Sequence, residues 1–472
     1  MRPNHKPAAK LLAMFFIFVP LGIYPQNLSQ NLQPQKLTAG VAAALPEGSR
    51  PQNGKLVLSL EDALAFAYDA SPDLKNVQLA LLAAQNNVKH TWNLFMPGIS
   101  ASYKADLRSP LLFRSASGPG GASGFASNPF SNSFAVNASL SFSTAVFFDA
   151  EKRKTDLRSA EIAKMEVELR IKRDTEKAYY QLLSLDMDIS NKTKAVALAA
   201  ERHKSTQFKF DNGLGAELDL LRANMAEKNS KAALDRAVGD MAKKLSAFKR
   251  SLKLDAGAEL SFSTALVIPQ GQPSFDSDAI IFDRLDLQKD RLAMATALAA
   301  KERNFYANRM AIVSLGASWA MNSGGSKIAD LFSFGDSAGA SLTISFSPDS
   351  WIPNTQKNLA YAELVEAEQR QARKYEQDLT NAQAEVAGLL MDIELNRAAM
   401  ELAKGQVELA ERIYDKSAEA YNKGAITSLE LEDAQLSLDS AKQSLNSSRY
   451  QYLSLIIDLG YALNTDWRDL VK

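Results

Sequence analysis

The sequence predicts a mainly α-helical fold joined to a β-barrel, built from two copies of one structural repeat. Three observations carry this. Two helical patterns run for about 60 residues or more without proline, far beyond the globular range. Before each lie segments in which large apolar and small polar residues strictly alternate. A short motif also recurs, as FDNGLGAELDLLRAN at Phe210–Asn224 and YNKGAITSLELEDAQ at Tyr421–Gln435. Gly213 and Gly424, Leu218 and Leu429, Leu220 and Leu431, and Ala223 and Ala434 all match at one spacing of 211 residues. An aromatic residue closes a helix, glycine follows three residues later, and a polar turn starts a new helix. This is the pattern of a duplicated helical hairpin tip.

Composition removes several function classes. Of 472 residues, 54 are Lys or Arg and 54 are Asp or Glu, so net charge argues for no nucleic acid and no acidic substrate. There is no cysteine, which excludes disulfides, thiolate catalysis and thiolate metal sites. Of the three histidines, His90 and His203 stand alone on helical segments, and neither has a second ligand at helical spacing. No Walker A, G-x-S-x-G or H-E-x-x-H motif occurs. We expect no catalytic site, cofactor or metal.

Residues 1–26 read as an export signal. Arg2, His5, Lys6 and Lys10 precede an apolar run, Leu11–Tyr24, that is shorter than the about 20 residues of a membrane span. Residues 27–55 are rich in Gln, Pro, Ala and Gly and read as a flexible linker.

The first repeat is expected over 56–270. Ser59 caps a helix that starts with Glu61 and Asp62, and Ser71-Pro72-Asp73 starts a second one that runs to about Phe95. At Pro97 the period changes to two, giving strands over 98–108 and 133–147, with a Gly/Ser-rich loop at Ser109–Asn132. In the second strand Phe134, Val136, Ala138, Leu140 and Phe142 oppose Asn137, Ser139 and Ser141. Helices follow over 151–211 and 218–254.

Asp255–Ser277 is irregular and reads as the seam between the halves. The second repeat, 271–472, repeats the order. A helix carries Asp286 where the first repeat has Asp73. Strands are expected over 310–321 and 339–347, then helices over 355–421 and 428–463. Two similarities in the same order at nearly one spacing support each other.

Strands with one large apolar and one small uncharged face suit lipid on one side and a lumen on the other. Four strands leave two open edges, which lipid does not tolerate. The chain is therefore expected to assemble, three copies giving twelve strands. The long helices, about 90–100 Å at 1.5 Å per residue, must project into water. An exported chain with such strands and such helices is expected to form a tube through an outer membrane, continued by helices in the periplasm.

The two halves resemble the repeats of the TolC-like outer-membrane efflux proteins. The resemblance rests on LSLEDALAFAYDASPDLKNVQLALLAAQNNVKHTWNLFMPGISASY, on both tip motifs, on YNKGAITSLELEDAQLSLDSAKQSLNSSRYQYL and on the closing LGYALNTDW. It covers about Leu56 to Trp467. It implies a homotrimer with a twelve-stranded transmembrane barrel in outer-membrane lipid and a periplasmic helical barrel of coiled-coil hairpins. It also implies partnership with a periplasmic adaptor and an inner-membrane pump, in a tripartite efflux pump or a type I secretion system.

The resemblance further assigns residues. Glu430 and Asp433 share a helix face and match an acidic pair that lines the channel mouth. Three copies would give a carboxylate ring that attracts cations. Asp219 matches Glu430, but Arg222 stands where Asp433 does, so only the second tip carries the full pair. The second tip is therefore expected to line the pore and the first to face partners. Tyr421 and Asp211 fall where relatives hold the mouth closed. Ile426 departs from the Arg of better-known members, so no closing salt bridge is expected there. Gly213, Leu214, Leu218, Gly424, Ala425 and Leu429 are expected to shape the tips and dock an adaptor. The competing reading is an exported structural or adhesive coiled-coil protein with a small β head.

Overall fold

The computed structural model describes residues 55–107, 130–264, 269, 283–325 and 333–471. The expected export signal, nearly all of the linker and most of the first inter-strand loop lie outside these residues.

The chain divides into two compact units. The smaller holds a parallel pair of strands, β1 (Lys55–Leu58) and β4 (Glu259–Phe262), in register from Lys55↔Glu259 to Leu58↔Phe262. The sequence pattern puts Lys55 at the end of the linker, Leu58 at the opening of a helix and β4 in an irregular seam. Four residues carry too little alternation to announce a strand.

The larger unit holds the four-stranded sheet and the long helices. Helices α1 (Leu60–Ala70) and α2 (Pro72–Lys89) lead into β2 (Gly98–Leu107) and β3 (Phe130–Phe142). Ser71 caps α2 by accepting from the Leu74 N–H at 3.2 Å. Then come α3 (Ala145–Asp211) and α4 (Glu217–Ser251). The second half supplies α5 (Leu285–Arg309), β5 (Ile312–Gly325), β6 (Gly335–Ser345), α6 (Gln356–Asn422), α7 (Ser428–Ala462) and a closing turn of helix, α8 (Trp467–Leu470).

Strand and helix limits differ from the sequence reading at one instructive place. Alternation suggested a strand over 133–147 and a helix from 151, yet β3 stops at Phe142 and α3 starts at Ala145. The N–H groups of Val146 and Phe147 already donate to the carbonyls of Ser143 and Thr144. This early turn brings Phe147 onto Phe142 and Phe95, with ring centroids 5.9 and 6.3 Å away. A three-ring cluster outweighs the β preference of Val and Phe. In the second half β6 spans Gly335–Ser345, against an expected 339–347.

The duplication holds to the residue. α3 and α6 are each 67 residues long, α4 and α7 each 35, and every end is displaced by 211 (145 to 356, 211 to 422, 217 to 428, 251 to 462). At 1.5 Å per residue α3 and α6 are about 100 Å long. Isolated helices gain little from propensity, so packing must hold them. On α7, Leu431, Leu438, Leu445, Tyr452 and Leu459 are all buried and spaced seven apart. On α6 the buried Ala382, Val386, Ile393, Ala403 and Ala410 fall on the same heptad frame. Buried residues at heptad spacing on both helices make α6 and α7 a coiled-coil hairpin.

The sheet order is β2-β3-β5-β6, antiparallel throughout, and its strands are 10, 13, 14 and 11 residues long. Its register aligns Tyr103, Phe134 and Met321 in one row, Ala101, Val136 and Trp319 in the next, then Leu140, Leu315 and Leu342. The other face carries rows such as Ser100 and Asn137 with Ser318 and Gly339, and Ser141 with Ser314 and Thr343. Among the described residues nothing covers the large apolar face at β6, where Leu342 and Ile344 are 64% and 67% exposed. β2 and β6 end the sheet as open edges.

Candidate functional site

Two hairpin tips converge on one site. At each, the long helix ends in the same pair of bonds. The Leu214 N–H donates to the Lys209 carbonyl at 2.8 Å and the Gly213 N–H to the Phe210 carbonyl at 2.9 Å. The Ala425 N–H donates to the Ala420 carbonyl and the Gly424 N–H to the Tyr421 carbonyl, both at 2.9 Å. This double closure needs a left-handed residue after the helix. Gly213 and Gly424 supply it at φ 70° and 71°. A Cβ on either would meet nothing within 4 Å, so the glycines serve conformation rather than close approach. The far ends of α4 and α7 close in the same way around Lys253 (φ 52°) and Asn464 (φ 53°), again 211 apart.

The helices that return from the tips start differently. Ala216 precedes α4 without a side-chain cap. Thr427 caps α7 in a reciprocal box: the Thr427 N–H donates to Glu430 Oε2 at 2.7 Å, and the Glu430 N–H donates to Thr427 Oγ1 at 3.3 Å. The Thr427 N–H and hydroxyl hold the Glu430 carboxyl below the ordinary glutamate range. Asp433 is exposed on the next turn, whereas Glu432 turns toward the neighbouring hairpin.

The tips are joined. Ser428 Oγ donates to Asp219 Oδ1 at 2.8 Å. The Lys209 ammonium lies 5.0 Å from the centroid of the Tyr421 ring, a cation–π contact. Deeper between the hairpins, Arg202 donates to Gln435 Oε1 and, at 2.6 Å, to the Tyr414 hydroxyl. Around these ties a cavity of about 700 Å³ opens between the hairpins, lined by Asp188, Lys192, Arg202, Glu432, Asp439 and Lys442 among others. Burial pushes the Asp439 carboxyl up.

The structure therefore brings Tyr421 into a bridging contact and leaves Leu214, Leu218, Ala425, Leu429, Glu430 and Asp433 exposed around the tips. Asp211 takes no part in the bridge, since it accepts from Gln207 one turn back in its own helix. Sequence reasoning missed Arg202, Tyr414, Gln435 and Ser428. Their partners lie more than 200 residues away or on another helix, and nothing local marks them. Sequence reasoning also missed the capping box, although its T-x-x-E pattern stands at 427–430.

A family model described as outer membrane efflux protein matches residues 65–252 and 292–465, which include both tips and most of both hairpins. The chain belongs to the outer membrane efflux protein family. Solved channels share the efflux protein's fold. CusC has a TM-score of 0.71 and 17% identity over 86% of this chain and 91% of that one. VceC of Vibrio cholerae has 0.69 and 18%, over 86% and 96%. CmeC of Campylobacter jejuni has 0.70 and 17%, over 86% and 85%. No curated protein sequence matches it. The efflux protein is placed in the outer membrane by its family, and its uncovered apolar sheet face is suited to lipid. Among the described residues no helix is long and apolar enough to cross a membrane.

Proposed function

We propose that this efflux protein is the exit duct of a tripartite efflux pump or a type I secretion system, and conducts substrate passively from the periplasm to the exterior. The observation that carries the reading is a sheet with two open edges and two unlike faces, attached to helices about three times longer than a bilayer core is thick. Three copies close a twelve-stranded barrel, β6 of one against β2 of the next. The helices support the same closure. α4 leaves Leu221 and Met225 uncovered on one flank, and α6 leaves Met391, Leu395, Leu402 and Leu409 uncovered on the other. Seams at heptad spacing suit a second copy.

In this reading the tips form the periplasmic mouth. Asp433, with Glu430, supplies an acidic ring at the second tip. The exposed Leu214 and Leu218 of the first tip and Leu429 of the second offer an adaptor's helical hairpin an apolar edge. Energy for transport comes from the inner-membrane partner. Outer-membrane fractionation followed by crosslinking tests the proposal: trimers in the outer-membrane fraction are expected, and a soluble periplasmic monomer would refute it.

A further inference from the structure

Arg309 ends α5, three residues before β5 begins. Its guanidinium carbon lies 4.6 Å from the ring centroid of Phe305, 4.9 Å from Tyr361 and 6.0 Å from Trp351. Among the described residues it has neither a carboxylate partner nor a hydrogen bond. Arg303, on the same helix, shows the usual alternative: Asp149 receives its fork at 2.6 and 3.1 Å. Three rings thus hold a planar cation in place while its donors stay unused. A guanidinium fork fits phosphate oxygens in pairs.

The surroundings tell which phosphate. Trp351 closes a short 3₁₀ turn, Pro348–Trp351, tied to the end of α5 by the Ser350 hydroxyl, which donates to the Asn308 carbonyl at 2.8 Å. Met310, Trp351, Ile352 and Phe346 are exposed around it. Ile344 and Leu342 then continue an uncovered apolar face along β6, with Ile344 opposite Val313 of β5. A fixed cation, an exposed tryptophan and then an apolar strand face repeat the order of groups in a phospholipid: phosphodiester, ester level, acyl chain. Lys357 is not a second cation for the site, because Asp349 holds it at 3.0 Å.

We propose that Arg309 in its aromatic cage is the phosphate anchor of a phospholipid site where the β5–β6 hairpin meets α5 and α6. The lipid's chains lie on the Leu342–Ile344 face. The proposal rests on the outer-membrane placement and adds a residue-specific lipid site to it.

Native mass spectrometry of the assembled full-length protein with added phosphatidylglycerol tests it. Wild type is expected to retain the lipid. Arg309→Gln should bind it about tenfold more weakly or less well still, the loss of a charged hydrogen-bond donor. Trp351→Ala should weaken binding with Arg309 in place, and millimolar inorganic phosphate should not displace the lipid. Equal retention by Arg309→Gln would overturn the site and leave Arg309 a helix-end cation. Displacement by inorganic phosphate alone would overturn the lipid assignment. Should Arg309→Gln not assemble, Arg309→Lys, which keeps charge but not the stacked fork, decides with Trp351→Ala; wild-type retention by both contradicts the proposal. A wild type that fractionates as a soluble protein would instead refute the outer-membrane placement itself.

Discussion

Ser428 Oγ donates a 2.8 Å hydrogen bond to Asp219 Oδ1, joining the first turn of α7 to the first turn of α4 across the two tips. Asp219 is the 211-residue counterpart of Glu430. One copy of this acidic position caps its own helix, and the other binds the sister tip. The duplicated hairpins are thus alike in backbone and divergent in what their side chains join.

Removing that acceptor should loosen the pair. In Asp219→Ala, spin labels on the two tips should report a broader and longer distance distribution than in the parent. The chain has no cysteine, so labelling sites can be introduced without background. An unchanged distribution would show that the Ser428 bond does not hold the tips.

The tip glycines give an opposite pair of outcomes to the helix glycines. Gly424→Ala puts a Cβ on a residue at φ 71°, at a cost of about 1–2 kcal/mol. Hydrogen exchange at the tip should speed up about 5–30-fold. Gly388 lies inside α6 with open space around its Cα. Gly388→Ala should therefore stabilise the helix by about 0.5–1 kcal/mol, read as slower exchange nearby.

Glu176 is the buried carboxyl that ties α3 to the end of the chain. It is 1% exposed and accepts from Trp467 Nε1 at 3.0 Å and from Arg468 at 3.3 Å. Burial raises its pKa against the pull of Arg468 and Lys172. A raised folded value means the group's contribution is complete below the ordinary glutamate pKa and is lost as pH rises through the raised one. Glu176→Gln should flatten the stability–pH curve across that interval. Glu176→Ala should cost about 1–3 kcal/mol, because the Trp467 N–H loses its acceptor. Denaturation midpoints from pH 4 to 8 check both.

Glu430 has the opposite sign. Its lowered pKa means the capping box is complete above the ordinary glutamate value and is lost as pH falls through the lowered one. Exchange in the first turn of α7 should quicken as pH falls from the ordinary glutamate value through the lowered one, and Glu430→Gln should remove that dependence. Thr427→Ala should fray the turn at every pH, by about 1 kcal/mol.

Legibility in the sequence followed the range of the interaction. Long helices, alternating strands and tip glycines are local patterns, and Gly213 and Gly424 stand where FDNG and YNKG place them. The limit of β3 was misread because Thr144 and Val146 continue the alternation, while the ring cluster that ends it needs Phe95, some 50 residues earlier. The Arg202–Gln435 and Glu176–Trp467 ties span 233 and 291 residues, and no periodicity reports a partner at that distance. The faces of α4 and α6 that stay uncovered became visible only once the covered faces were known.

A conducting duct with an acidic mouth is tested most directly by the reversal potential in planar bilayers. Purified protein across a potassium chloride gradient should show discrete, cation-selective channels. Glu430→Gln with Asp433→Asn, which keeps the capping geometry, should move the reversal potential toward zero with the trimer intact. Channels whose selectivity ignores both substitutions would contradict the acidic mouth, and a membrane-inserted trimer that passes no current would contradict the duct.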